Sequence, residues 1–315
     1  MKNIVQAGRN LLLPLLVNIL VMIMLGILFQ LALHFFPGLR RHSNMLWTLG
    51  LISLVMGMGG AFISLLASRW MAKAFNGVQV VDPNTNHPEL RELVRMVHGY
   101  SQRAGLPEMP EVGIYESPEV NAFATGPSRS SSLVAVSTGL LRQMNRAEAE
   151  GVIAHEVAHI ANGDMVTMTL VQGVMNAFVF FFAHLLGSIA AQALRGNRDE
   201  ERDHSSFGDF MIQSLLINLF QMLFGALAMV VVCWFSRKRE FRADAGSALL
   251  AGKDRMISAL RALQRIHGQP INVEEGGNYG FEALKISGKS GGLLALFSTH
   301  PPLEERIAYL ESLGR

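Results

Sequence analysis

His155-Glu156-Val157-Ala158-His159 sets two imidazoles four residues apart, with a carboxylate directly after the first. On an α-helix, positions i and i+4 share a face, so both rings can reach one cation. Glu156 then sits about 100° around the helix, near enough to touch a water on that cation without ligating it. Zinc peptidases use this H-E-x-x-H arrangement: the histidines bind Zn²⁺ and the glutamate is the general base. Two core histidines satisfied by carbonyls are the plainer alternative, but they leave Glu156 buried without a purpose.

Such a pair needs a third protein ligand, with a fourth position left for water. Glu240 and Asp244 are candidates, one helical turn apart and flanked by Ala243, Ala245 and Gly246, which permit close helix packing. One carboxylate could bind the cation and the other could accept a hydrogen bond from the distal nitrogen of a ligating histidine. Spacing does not say which does which. An i,i+4 pair on a solvated face, interleaved with arginines, is the alternative reading.

The elements that must position these groups follow from pattern. Asn145 and Glu148 make an N-cap and capping box, and Asn162-Gly163 a C-terminal stop, for an apolar helix that carries the histidines. Before it, the pattern predicts an amphipathic helix over 87–104 and strands over 112–115, 120–125 and 133–137. Residues 126–132, rich in Gly, Pro and Ser, join the last two strands as a hairpin. Beyond the apolar segments come helices over 240–250, 254–267 and 303–313, with a Gly-rich loop over 276–292.

Half of the 315 residues are hydrophobic and the mean hydropathy is +0.28. Four windows, 11–39, 43–68, 165–194 and 210–236, contain no Asp, Glu, Lys or Arg. Each exceeds the roughly 20 residues that span a bilayer as helix, so four transmembrane helices are predicted. The first window is too long for a signal-peptide core and reads as an uncleaved anchor. Arg69 and Lys73 follow the second window, and Arg237, Lys238, Arg239 and Arg242 follow the fourth, which sets those flanks in the cytoplasm. The lone Cys233 excludes an intrachain disulfide, and a net charge of +2 gives no sign of a nucleic-acid partner.

The fold class that results is a mostly helical α+β one: four transmembrane helices and a zincin-like domain split by the second transmembrane hairpin. Its parts are a helix pair over 1–73, the first half of the peptidase domain over 74–163, a hairpin over 164–236, and the second half over 237–315. Two intervening crossings return the chain to the same side, so His155, His159 and Glu240 can meet. At about 1.5 Å per helical residue they would lie within roughly 10 Å of the bilayer. A site there suits membrane-protein substrates; soluble proteins cleaved by a tethered enzyme are the alternative.

The chain resembles the HtpX-type membrane zinc metallopeptidases, related to CAAX prenyl proteases. The resemblance rests on residues 120–126 (VNAFATG), 155–160 (HEVAHI) with Asn162-Gly163-Asp164, Glu240-Phe241-Arg242-Ala243-Asp244, and Ser298-Thr299-His300-Pro301-Pro302. It implies one Zn²⁺ per chain on His155, His159 and Glu240, with Asp244 supporting a histidine. By analogy with other zinc peptidases it also implies His300 as donor to the oxyanion, with Arg306 either assisting or forming a helix-surface salt bridge. The implied setting is a bacterial inner membrane with the site facing the cytoplasm, where misfolded or damaged membrane proteins are hydrolysed under stress. Two rivals remain. Processing of prenylated C-termini would need a large enclosed chamber, and four helices are few for that. A scaffold with structural zinc would usually have four protein ligands, often cysteines.

Overall fold

The computed structural model describes residues 43–195, 207–267, 296 and 298–314. Elements are numbered over these residues, so the predicted helix in window 11–39 and the loop 276–292 lie outside them. The described chain runs α1 (Ser43–Phe75), β1 (Gln79–Val80), α2 (Pro88–Arg103), β2 (Glu111–Tyr115), β3 (Ala122–Ser128), β4 (Ser131–Ser137), α3 (Thr138–Gln143), α4 (Arg146–Asn162), α5 (Asp164–Arg195), α6 (Phe207–Ala251), α7 (Lys253–His267) and α8 (Leu303–Ser312). It divides into two compact units, Met1–Ile63 with Thr169–Met229 and Ser64–Met168 with Val230–Arg315.

The first unit holds apolar stretches of α1, α5 and α6. These three helices are long and apolar enough to cross a membrane, with peak mean hydropathies of 2.1, 1.8 and 2.3. Lipid is no more apolar than leucine, so such helices pack through small residues that let backbones approach. Gly57 meets the Ala177 backbone and Gly187 meets Ile217 so closely that a side chain at either would collide. Leu51, Val55, Leu215 and Met222 remain exposed, as surface against lipid requires.

The second unit holds the motifs. Its four-stranded sheet has the order β1-β2-β4-β3, with β2 and β4 parallel and the other pairs antiparallel. Strand β4 is central, and Leu133, Val134, Ala135 and Val136 are fully buried, which explains its continuous apolar run. The β3–β4 hairpin is tighter than its sequence suggests: pairing continues to Ser128↔Ser131 across a register irregularity. Gly126, at φ +142°, packs against Ser131 O and allows the chain to keep pairing through the run that the pattern reads as turn. Strand β1 is too short to show a period.

Helix α4 lies on this sheet. Ile153, Val157 and Ile160 join Val134, Val136, Leu140, Leu93 and Val97 in one core. The capping box is present in full: Glu148 N donates to Asn145 Oδ1 (3.0 Å), and Asn145 N to Glu148 Oε2 (2.9 Å). Gly163, at φ 71°, ends the helix in the left-handed region that glycine adopts without cost. Helix α6 departs from the pattern, running unbroken from Phe207 to Ala251 without a new start at Glu240. The charged stretch Arg237–Glu240 ends the apolar window, but Arg, Lys and Glu are good helix formers and do not end the helix.

Candidate metal centre

The apolar stripe of α4 packs on the sheet, and this leaves His155 and His159 one turn apart on another face. Helix α6 approaches that face at Gly246, where an added Cβ would come 2.7 Å from Ala158 Cβ. Ser247 Oγ donates to Gly151 O (2.9 Å) and fixes the contact. The small residues therefore bring Glu240 against the two histidines. His155 Nε2 and His159 Nε2 are 3.1 Å apart. Glu240 Oε2 lies 3.4 Å from the first, and Glu240 Oε1 lies 3.3 Å from the second.

Both histidines are held from behind by aspartates. His159 Nδ1 donates to Asp164 Oδ2 (2.7 Å). His155 Nδ1 lies 3.0 Å from Asp244 Oδ1, off the ideal hydrogen-bond line. A carboxylate at each Nδ1 keeps the proton there, so both Nε2 atoms present lone pairs. Two lone pairs 3.1 Å apart cannot bond each other; they need an electrophile. Metal–ligand bonds of about 2.05 Å in a tetrahedron separate ligand atoms by roughly 3.3 Å; here the two Nε2 atoms are 3.1 Å apart, and each has a different Glu240 oxygen at 3.3 or 3.4 Å. Glu240 Oε1 is buried and receives no hydrogen bond. The donor set, two imidazoles and a carboxylate, fits Zn²⁺.

A further tier of charge supports the aspartates. Arg306 donates to Asp244 through Nε (2.8 Å) and Nη2 (2.6 Å), and Arg242 Nη2 donates to Asp164 Oδ1 (2.7 Å). Arg306 is only 6% exposed, so the reading of it as a helix-surface salt bridge is corrected: it is half of a buried bidentate pair. His300 Nδ1 lies 3.0 Å from Glu240 Oε2, on a ring 62% exposed. Glu156 is half-buried.

Without a cation the same carboxylates favour a proton on each imidazole, so metal binding here displaces protons. Burial pushes Glu240 up, but the imidazoles of His155, His159 and His300 beside it outweigh that and hold the carboxyl far below the usual range. For Asp244, Arg306 and then His155 likewise overcome burial. In the polypeptide alone, burial lowers His159, yet Asp164, Glu240 and the charge of Glu156 lift it to about 9. His155 rises for the same reason, through Asp244 and Glu240.

The structure thus brings together His155, His159, Glu240, Asp244, His300 and Arg306, with Glu156 close enough for its charge to act on His159. Asp164 as a histidine partner was not legible from spacing; its signal is its place directly after the left-handed Gly163, where the chain turns back.

Residues 87–313 match the model of Peptidase family M48. The chain is 48% identical to "Protease HtpX homolog" of Methylacidiphilum infernorum, over 95% of this chain and 96% of that protein. "Protease HtpX" of Escherichia coli K12 is 46% identical over the same shares, and that of Pasteurella multocida 52% identical over 84% of this chain and 86% of its own. The crystal structure of S. mikatae Ste24p superposes with a TM-score of 0.58 at 18% identity, over 98% of this chain and 66% of that one, and shares the fold. The family match, these relatives and the three apolar helices lead to one conclusion: the chain belongs to peptidase family M48, whose members are zinc-dependent, and is a membrane metalloprotease.

Proposed function

We propose that His155, His159 and Glu240 hold one zinc ion per chain, that Asp244 and Asp164 orient the two histidines, and that Glu156 and His300 act on the substrate. The observation that carries this is the convergence of two buried Nε2 atoms 3.1 Å apart with the Glu240 carboxylate, one oxygen of which lies 3.4 Å from His155 and the other 3.3 Å from His159, while both histidine Nδ1 atoms already face carboxylates. Zinc in this cradle supplies a Lewis acid and a water of lowered pKa. Glu156 takes the proton from the attacking water and passes it to the leaving amine. When both nitrogens of His300 carry protons, Glu240 holds Nδ1–H and Nε2–H is left for the oxyanion. Among the described residues strand β3 ends the sheet, so an extended polypeptide can add to its outer edge with little sequence selectivity.

The substrates are misfolded or damaged membrane proteins, and the setting is a bacterial inner membrane with the site facing the cytoplasm. Four membrane helices, including one over 11–39, anchor a peptidase domain interrupted by the hairpin 164–236. Glu240 follows the last apolar window by one helical turn on an unbroken helix, which supports a site close to the lipid. The relatives' name, HtpX, is consistent with proteolytic quality control.

The test is Glu156→Gln in the purified full chain. It is expected to keep the zinc content of the wild type and to lose peptide cleavage by a factor of about 10² or more. Normal turnover would overturn the assignment. Glu240→Ala is expected to lose zinc, and cleavage of a destabilised membrane protein in preference to casein supports the substrate class.

A further inference from the structure

A charge rule across the membrane explains the sum of Arg237, Lys238, Arg239 and Arg242 but not their separate partners. Lys238 Nζ lies 6.0 Å from the centroid of the Trp234 ring, and Arg242 bonds Asp164. Arg237 has a different target. Its Nη1 donates to Ser298 O (2.6 Å) and to Leu296 O (3.2 Å), two backbone carbonyls just before His300.

His300 needs an anchor of this kind. It precedes α8 in irregular backbone, and a ring 62% exposed is not fixed by packing. The two residues that follow it are prolines, which have no backbone N–H with which to tie the segment down. Ser298 Oγ donates to His300 O (2.7 Å) and stiffens the turn internally, without attaching it to the rest of the fold. Among the described residues, the attachment upstream of the ring is Arg237; downstream, it is buried Pro301 and the Arg306–Asp244 pair. Arg237, Glu240 and Asp244 recur at i, i+3 and i+7, so one stripe of α6 holds the segment, the metal-side carboxylate and the Arg306 partner.

We propose that Arg237 is a positioning residue: by clamping the carbonyls of Leu296 and Ser298 to the helix that carries Glu240, it sets the place of the His300 ring beside that carboxylate. This rests on the reading of His300 as the oxyanion donor. An oxyanion donor acts only when it is already in place, and an ångström of misplacement costs about 10²-fold in rate.

The test compares R237A, R237K, H300A and the double variant R237A/H300A in the full zinc-loaded chain on a fluorogenic peptide. R237A is expected to lower kcat about tenfold or more at unchanged KM, zinc content and melting temperature, and R237K to recover part of the loss. The double variant is expected to be no slower than H300A alone, because a clamp has no work once the ring is gone. Hydrogen–deuterium exchange across 296–306, read without zinc, is expected to quicken in R237A. An unchanged kcat in R237A, losses that multiply in the double variant, or a loss that follows zinc content would each overturn the proposal. Full activity of H300A would overturn the reading of His300 itself, whereas loss in H300A with none in R237A overturns the clamp alone.

Discussion

The two histidines are supported by the same sequence of groups, an aspartate and then an arginine, in opposite surroundings. Behind His155, the side chains of Asp244 and Arg306 are 0% and 7% exposed. Behind His159, Asp164 is 1% exposed but its Arg242 is 59% exposed. Water can stand in for a guanidinium that already borders solvent; it has no access to the place of a buried one. The two relays share their order of groups, although Arg306 is bidentate and Arg242 bonds through one nitrogen, and they should differ widely in what their loss costs.

Arg306→Ala should therefore have the largest effect. It strands Asp244 as a buried charge, for which about 3–5 kcal/mol of stability is the usual loss, and a melting curve of the zinc-loaded protein would show it. A variant that melts like the wild type would break the contrast. Asp164→Ala comes next: with the orienting carboxylate gone, zinc affinity should fall about 10–100-fold, as read by competition with a chromogenic chelator. Arg242→Ala should cost no more than about 1 kcal/mol, and a loss matching Arg306→Ala would show that burial does not decide the matter.

A third ion pair sharpens the comparison at its weak end. Glu111 meets Arg69 and, at 2.7 Å, Lys73, and is about one-third exposed. Burial pushes its carboxyl up, but hydrogen bonds from Arg69 and Lys73 outweigh that and lower it below 4.5. A carboxyl lowered on folding contributes stability that is present above its unfolded pKa and is lost as pH falls through the folded one. Glu111→Gln should thus lower stability by under about 1 kcal/mol at pH 7. The difference should close as pH drops below 4.5, and one that grows in acid would contradict the sign.

How much of this could be read beforehand differs from residue to residue. His155 and His159 show at once because helical period is local, and so do Asn145 and Glu148 as a cap. Glu240 and Asp244 were visible as a pair, yet their division of labour was not: i,i+4 spacing puts both on one face, and only the approach of α6 to α4 at Gly246 decides which carboxylate meets Nε2. Arg306 reads equally as an aid to the site or as a surface salt bridge, because its partner lies 62 positions away in the chain. Arg237 is masked by its neighbours, since a basic cluster after an apolar window already has a sufficient explanation in membrane orientation. Local elements were legible where period or turn chemistry speaks; contacts made by distant parts of the chain were not.

The cradle joins early and late parts of the polypeptide. The histidine pair leaves the ribosome about 80 residues ahead of Glu240, several seconds at roughly 5–20 residues per second. His300 is later still. On the proposed ligand set, a nascent copy that has exposed only the histidines lacks the third donor, and the site cannot be completed until Glu240 has emerged.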